Sequence, residues 1–319
     1  MFGFGRAVKA GFGALLNPST YSSILRGKRK TAVFYGACHA IGISKILEQQ
    51  KEFRTEYEVI VLPANFLIAH DQLELAKETV AKADLFVYQP YTGAGRQEFS
   101  SANLLRRLKP SAKVVTFAYP HCEIYQPFTQ YPSHGMPKIE GVSYVDYAFG
   151  RAIIDGVSID DVDAYTADRG LLAGHVEQLL AWNLTEARAR ETRVLADDLP
   201  IQVRFSDIVE KEFRSRHLFL SLNHPSVALL NEVARRICEH IPLPFNPVLK
   251  EVLPFPVLPI ASHVRTALGL NFTPQKMQPS NYHQHLADYF RTVDPATFEA
   301  SVACMATSRP WFKSLARGQ

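Results

Sequence analysis

The sequence predicts an α/β protein with a doubly wound parallel sheet, followed by a largely helical second part. Between residues 31 and 118, short apolar runs that suit buried strands alternate with stretches of helical period. This alternation is typical of parallel β-α-β units. The composition, 47% hydrophobic and 21% charged over 319 residues, is that of a globular protein with a sizeable core.

The first part of the chain carries the elements of the predicted sheet. Strands are predicted over residues 31–35, 57–62, 84–88 and 113–118, and helices over residues 72–82 and 98–108. A helix also follows the first strand, because Ile43, Ile46 and Leu47 recur at helical spacing. From residue 119 to residue 147 the alternation gives way to an aromatic and proline-rich stretch, and long loops of this kind are usually functional.

The second part contains a long predicted helix over residues 171–194 and a second strand-to-helix unit. The apolar run at residues 218–222 leads into Asn223-His-Pro-Ser, and the helix behind it carries an apolar stripe. We therefore predict three units: a basic N-terminal arm over residues 1–30, a parallel α/β domain over residues 31–150, and a helix-rich second lobe over residues 151–319.

Positive charge is concentrated in the N-terminal arm. The arm holds six basic residues and no acidic one, which leaves 29 basic against 31 acidic residues elsewhere, a net charge of −2. The body therefore gives no argument for nucleic-acid binding. The arm could lie on an anionic membrane surface as a peripheral anchor. We favour the alternative that it packs on the body or binds an anionic ligand.

Cysteine usage indicates a reducing compartment. The four cysteines stand singly along the chain, without the paired spacing of a disulfide framework or a CxxC motif. No segment has the roughly 18 uninterrupted apolar residues that a membrane-spanning helix needs. We expect a cytoplasmic protein with free thiols.

The first candidate site is the run Gly36, Ala37, Cys38 and His39, directly after the first predicted strand. Open α/β sheets bind ligands at the carboxyl ends of their strands. A helix beginning here points free N–H groups at an anion or a developing oxyanion, and it should lower the pKa of Cys38. The alternative is that Gly36 ends a strand and Cys38 fills a buried space.

Several common motifs are absent. The sequence has no GxGxxG fingerprint, no P-loop and no GxSxG nucleophile elbow. These absences exclude the commonest classes of α/β enzyme.

The second candidate site is His224, at the second strand-to-helix turn. A neutral histidine is the usual general base for activating a hydroxyl group, although His224 could instead cap its own helix. If the two turns face one cleft, Asn223 would contact the substrate, as would His121 and Tyr125 of the aromatic stretch.

Cations and glycines near the strand ends suggest a phosphate site. Gln89, Tyr91 and Arg96 follow the third strand in a loop with two glycines, which could hold a phosphate or pyrophosphate. Lys30 could reach a further phosphate. A flexible loop with a solvated arginine is the alternative.

No metal site is predicted. His283 and His285 alternate as a strand-borne metal pair would, but no third ligand is indicated and the context is helical. Asp160, Asp161 and Asp163 suit a helix N-terminus better than a cation.

Four segments together resemble the WcbI-type polysaccharide biosynthesis enzymes of bacterial capsule loci. They are FYGACHAIGISK at residues 34–45, QPY at 89–91, YPH at 119–121 and NHPS at 223–226. The resemblance implies coenzyme A binding, a two-lobed architecture similar to GT-B glycosyltransferases, and O-acetylation of a capsule sugar. The family's first motif commonly reads Gly-Asn-Cys-Gln, whereas Ala37 and His39 replace the two amides here. That departure removes a side-chain amide that could bind an oxyanion and introduces a titratable group, His39, in its place.

The resulting hypothesis is an acetyltransferase that moves an acetyl group from acetyl-CoA to a hydroxyl of a capsular polysaccharide sugar or its precursor. Its predicted catalytic residues are Cys38, His39 and His224. Its predicted cofactor contacts are Gly36, Ala37, Gln89, Tyr91, Arg96 and Lys30. Two alternatives stay open: a glycosyltransferase or SGNH-like acyl esterase, and a non-catalytic component of a membrane-associated capsule assembly complex.

Overall fold

The computed structural model describes residues 29–64, 69, 72–92, 97–132, 135–138, 143–193, 195 and 199–316. Most of the predicted N-terminal arm, its peripheral membrane contact and Arg96 therefore lie outside the described residues.

A four-stranded parallel sheet forms the first part of the fold, as the sequence predicted. Its strands are β1 (Lys30–Tyr35), β2 (Tyr57–Val61), β3 (Leu85–Tyr88) and β4 (Lys113–Thr116). The order across the sheet is β2-β1-β3-β4, and every pairing is parallel. A single parallel bridge from Phe117 to Val203 continues the sheet beyond β4.

Helices cover both faces of this sheet because its side chains alternate. The first four helices are α1 (Cys38–Leu47), α2 (Lys51–Glu56), α3 (Leu73–Lys82) and α4 (Ser101–Leu105). Phe34 of β1 belongs to the same apolar cluster as α1, whereas its neighbour Tyr35 belongs to the cluster of α3 and α4. The helix predicted over residues 98–108 is shorter than expected, since Ser100 caps α4 by accepting a hydrogen bond from the Asn103 N–H.

The remaining elements are two short hairpins and eight helices within the described residues. In chain order they are β5 (Thr129–Gln130), β6 (Val145–Asp146), α5 (Tyr147–Ile154), α6 (Val162–Asp168), α7 (Val176–Thr192), α8 (Ser206–Glu212), β7 (Phe219–Ser221), β8 (His224–Pro225), α9 (Val227–His240), α10 (Ser262–Leu268), α11 (Tyr282–Arg291) and α12 (Pro295–Ser308). Three short 3-10 helices cover Gln97–Phe99, Ile159–Asp161 and Pro310–Leu315.

The second strand-to-helix unit differs from the expected one. Strand β7 pairs antiparallel with β8 in a separate two-stranded sheet, and α9 begins directly after it. Two residues separate the strands, and a link of that length can join only antiparallel neighbours. Asn223 and His224 therefore lie at the tip of a hairpin and not at the end of a strand of the parallel sheet.

One apolar core connects the predicted α/β domain to the predicted second lobe. The largest cluster of buried side chains runs from Ala32 to Leu315 without a break near residue 150. Helix α1 packs on α9 at Gly42, where a Cβ atom would lie 2.9 Å from Leu230 Cδ1. This close packing fixes α1 and α9, which carry the two candidate turns, against each other. The GT-B-like arrangement of two lobes stays a prediction.

No helix among the described residues combines the length and the apolar character needed to cross a bilayer.

Candidate functional site

The turn at residues 36–39 lies where the strand order of the sheet reverses, between β1 and β3. Ligands of doubly wound sheets bind in the crevice at this point. Gly36 has φ +155°, and a Cβ atom there would lie 2.8 Å from Gln89 Cβ. Only glycine allows the chain to leave β1 this close to the end of β3.

Both ends of the Gln89 side-chain amide contact this turn. It is buried, its Oε1 accepts a hydrogen bond from the Ala37 N–H at 3.1 Å, and its Nε2 lies 3.5 Å from His39 Nδ1. Both Gln89 and Ala37 were predicted to contact a cofactor. The structure places these polar groups in contact with each other, so Gln89 acts as a positioning residue for the turn.

His39 connects the turn to the hairpin at Asn223. Its side chain is fully buried, and its Nε2 lies 2.7 Å from the backbone oxygen of Asn223. Because a carbonyl oxygen only accepts, Nε2 carries the proton and Nδ1 faces the Gln89 amide as an acceptor. Burial lowers the pKa of His39 to about 4. With both nitrogens engaged, His39 holds two segments together and offers no free base, unlike the predicted catalytic role.

Three tyrosines gather around the side chain of Asn223. Its Oδ1 accepts a hydrogen bond from the Tyr144 hydroxyl at 2.6 Å. Its Nδ2 donates to the hydroxyls of Tyr119 and Tyr131, at 3.0 and 3.3 Å. The Asn223 amide thus holds three tyrosines together, and the hydroxyl of Tyr131 also lies 3.5 Å from that of Tyr144.

One ring nitrogen of His224 is hydrogen-bonded to the protein, and the other is free. Its Nδ1 is hydrogen-bonded to Ser221 Oγ at 2.6 Å, and its ring stacks on Phe255 with centroids 4.3 Å apart. Nε2 makes no hydrogen bond with any residue that the structure describes. Burial, and next the neighbouring His39, lower the pKa of His224 to about 3. The ring is therefore neutral at pH 7, with one nitrogen free to contact a substrate.

Cys38 begins α1 and is half-buried. The sequence predicted a lowered pKa for this thiol, but the pKa is raised to about 11. Burial is the largest cause, and it outweighs the lowering effect of the Cys38 and His39 N–H groups that face the sulfur. Cys38 is consequently a neutral thiol at pH 7, next to two helix N-terminal donors.

The predicted residues of the aromatic stretch divide between two places. His121 lies at the edge of the cluster, where burial, followed by the charges of Arg190, Arg309 and His39, lowers its pKa to about 3. The Tyr125 hydroxyl instead bonds to the backbone oxygens of Phe213 and Arg216, both at 2.8 Å. Tyr125 was predicted to contact the substrate, and its hydroxyl is committed to the protein.

Two residues that were predicted to contact the cofactor lie away from the turn at residues 36–39. Lys30 is the first residue of β1, and the turn follows the last residue, Tyr35. A strand rises about 3.3 Å per residue, so the two ends of β1 are roughly 17 Å apart. Lys30 is paired with Glu56 at 2.8 Å, so it cannot serve a ligand at Cys38. Tyr91 packs against the apolar cluster on the α3 side of the sheet, with its backbone bonded to Ser101.

Ser221 and Arg190 belong to the site although the sequence did not single them out. Ser221 orients His224, and the charge of Arg190 reaches both His121 and Tyr119. Arg190 Nη1 is buried without a well-directed hydrogen bond, although Glu186 Oε2 lies 3.2 Å away. The charged run at the end of α7 was the available signal, but sequence alone could not place it beside the aromatic stretch.

Across the described part of the chain, no three His, Cys, Asp or Glu side chains converge as metal ligands. His283 lies on α11 and stacks on Phe149 with centroids 5.0 Å apart.

Acid pH should destabilise the fold through its neutral histidines. Burial lowers the pKa of His39 and His217 to about 4, and that of His121 and His224 to about 3. In the unfolded chain these groups titrate near about 6.5. The unfolded state therefore binds more protons below that pH, and stability falls as pH drops toward about 4. Urea unfolding at a series of pH values should show this loss, and an unchanged midpoint from about pH 7 to about pH 5 would contradict it.

Known proteins match the part of the chain that contains both candidate turns. The family model described as polysaccharide biosynthesis enzyme WcbI matches residues 31–246. A solved structure described as WcbI, a novel polysaccharide biosynthesis enzyme, superposes with a TM-score of 0.78 at 23% identity. The match covers 90% of this chain and 98% of the other. That protein is described as native, without a disulfide bond between coenzyme A and one of its cysteines. A search of curated proteins gave no match.

The structural likeness establishes the shared fold, and the family match extends over about two thirds of the residues, including both candidate turns. The chain belongs to the WcbI family of polysaccharide biosynthesis enzymes.

Proposed function

We propose that this protein transfers an acetyl group from acetyl-CoA to a hydroxyl of a polysaccharide sugar or its precursor. The observation that carries the proposal is the hydrogen bond between His39 and Asn223. Since Cys38 precedes His39 and His224 follows Asn223, this bond joins the segment that carries a thiol and two helix N-terminal donors to the segment that carries a free imidazole nitrogen.

Coenzyme A fits the donors on the side of the site that Cys38 occupies. The description of the similar structure relates coenzyme A to a cysteine, and Cys38 is the half-exposed cysteine of this site. Arg190, which lies 3.2 Å from Glu186 Oε2 but has no well-directed hydrogen bond at Nη1 among the described residues, is the cation we assign to a phosphate of the cofactor. When bound, coenzyme A supplies the acetyl group as a thioester.

In this proposal His224 removes the proton from the sugar hydroxyl as its oxygen bonds to the acetyl carbon, and returns the proton to the leaving thiolate when the thioester C–S bond breaks. The proposal takes the tautomer in which Nδ1–H donates to Ser221 Oγ, 2.6 Å away, so that Nε2 carries the lone pair that accepts the proton. The low pKa of His224 keeps this nitrogen unprotonated throughout the neutral range. The N–H groups of Cys38 and His39 stabilise the developing oxyanion, an effect of about 3 kcal/mol for a well-placed donor.

Direct transfer to the sugar is favoured over an acetylated cysteine. A nucleophilic Cys38 would have to react as a thiolate, and its raised pKa of about 11 leaves almost no thiolate at neutral pH. In direct transfer the hydroxyl passes its proton to His224 only as its oxygen bonds to the acetyl carbon, so no free alkoxide has to form. We assign Cys38 to contact with the cofactor and His224 to catalysis.

Replacing His224 tests the proposed chemistry. His224→Gln should lower turnover by about 10²- to 10⁴-fold, the usual contribution of a general base, and should leave acetyl-CoA binding intact. The matched control is His240→Gln at the exposed end of α9, which should retain full activity. The assay measures free thiol released from acetyl-CoA in the presence of a panel of bacterial oligosaccharides, with binding followed by calorimetry.

The same preparations separate the rival functions. Calorimetric binding of nucleotide sugars but not of acetyl-CoA would indicate a glycosyltransferase. Release of acetate from acetylated oligosaccharides without coenzyme A would indicate an esterase. Binding of none of these ligands would contradict the proposal and favour an assembly component.

Replacing Cys38 distinguishes direct from covalent transfer. If transfer is direct, Cys38→Ala and Cys38→Ser should keep turnover within about tenfold of the unaltered protein, because neither the base nor the N–H donors are removed. Intact-protein mass spectrometry after mixing with acetyl-CoA should show no acetylated species. Abolished turnover in both variants, together with an acetyl adduct on the unaltered protein, would establish the covalent route.

A further inference from the structure

A cavity of about 240 Å³ lies outside the cluster around Cys38 and His224. We call it the Gln126 pocket; its walls come from residues 125–128, the start of α5, residues 159–166 and residues 259–264, with His283 of α11. Its volume is below the range of about 300–1,000 Å³ typical of drug-sized ligands. The pocket therefore suits a single small ring.

Polar atoms of two side chains in this pocket are buried without a partner among the described residues. Gln126 is 3% exposed, and neither its Oε1 nor its Nε2 has a hydrogen-bond partner there. His263 is half-buried, and both of its ring nitrogens are buried and likewise unpartnered. A buried polar group left without a partner costs about 1–3 kcal/mol, and native proteins keep few of them. Retaining two in one cavity points to a ligand that supplies the missing hydrogen bonds.

The charges around the pocket select against an anion. Asp146 lines the cavity and accepts two N–H bonds of α5 through Oδ1, at 2.9 and 3.1 Å. Asp160 and Asp163 also line the cavity, and no Lys or Arg of the described residues does. Burial lowers the pKa of His263 and of His283, so neither ring supplies positive charge near pH 7. Phosphates, including those of coenzyme A, do not fit here.

Aromatic faces complete the lining. Phe149 and His283 stack with centroids 5.0 Å apart at 17°, and Phe128 lies 6.2 Å from His263. An amide, an imidazole and a carboxylate oxygen provide donors and acceptors beside these rings. A sugar ring needs both features: hydroxyl groups for the polar atoms and C–H faces for the aromatic ones.

We propose that the Gln126 pocket binds one uncharged sugar residue of the polysaccharide, apart from the residue that is acetylated. The sugar class rests on the proposed function, whereas the pocket uses none of the residues assigned to acetyl transfer. Tyr282, which precedes His283, packs against Tyr144 and Leu222 on the side of the hairpin. This contact places the pocket one side-chain layer from the Asn223 tyrosines. A sugar in the pocket would therefore be a neighbouring unit of the same polysaccharide.

The test replaces Gln126 by leucine in the full-length protein. The probes are methyl glycosides of common neutral hexoses and N-acetylhexosamines, with binding measured by saturation-transfer NMR. The unaltered protein should bind at least one probe, and Gln126→Leu should bind it about tenfold or more weakly, because two hydrogen bonds are lost. Its melting temperature should stay the same or rise, since an amide without partners has been removed.

The matched control is Gln50→Leu, at a buried glutamine whose amide is satisfied. Gln50 donates to the backbone oxygens of Ile46 and Asn246 and accepts from the Asn246 N–H. This variant should melt at a lower temperature and keep sugar binding.

Three outcomes would overturn the sugar pocket: no probe binds, binding survives Gln126→Leu, or Gln126→Leu destabilises the fold as much as Gln50→Leu does. The result is separable from acetyl transfer, because His224→Gln should retain sugar binding and Gln126→Leu should retain acetyl-CoA binding. Sugar binding without acetyl-CoA binding would support the pocket while contradicting the proposed function.

Discussion

The hydrogen bond from His39 to the backbone of Asn223 is the contact on which the candidate site depends. It joins residues 184 positions apart, one at the switch point of the parallel sheet and one at the tip of a separate hairpin. Burying an imidazole is costly unless its nitrogens are satisfied, and Asn223 and Gln89 satisfy both. The packing of α1 on α9 at Gly42 supports the same alignment from behind. Through this link the turn that carries Cys38 is joined to the hairpin that carries His224.

The candidate site contains two kinds of residue: those that hold its segments in place and those with groups free to contact a ligand. Gln89 and Asn223 have the polar side chains usually assigned to ligand binding, but their amides are bonded to the protein. They hold the turn and the tyrosines in place, which leaves His224 Nε2, the Cys38 thiol and two backbone N–H groups toward a ligand. The positive charge of Arg190 near this cluster contrasts with the carboxylates of the Gln126 pocket. Under the proposed function, this difference in charge would direct an anionic cofactor to the Arg190 side and a neutral sugar to the Gln126 pocket.

Much of the fold could be predicted because the parallel strands are short, apolar and regularly separated by helices. The hairpin could not, since Leu218–Leu222 followed by a helix has the same pattern whether the strand joins the parallel sheet or folds back on His224. Within the site, the sequence located the turn at residues 36–39 and His224, but it did not predict their protonation states or hydrogen-bond partners. The pKa of Cys38 depends on burial outweighing the helix N-terminus, and the distance of Lys30 from the turn depends on which end of β1 each occupies. Such quantities are set by tertiary packing, which a local pattern does not contain.

The most direct measurement of the central contact is nitrogen-detected NMR of the histidine rings, with His39 assigned by comparison with a His39→Gln sample. The His39 ring should be neutral, with the proton on Nε2 and none on Nδ1, and should stay so from about pH 8 to about pH 5. That result would establish the bond to the Asn223 carbonyl as the link between the two turns. A ring that titrates near about 6.5, or that carries its proton on Nδ1, would contradict it.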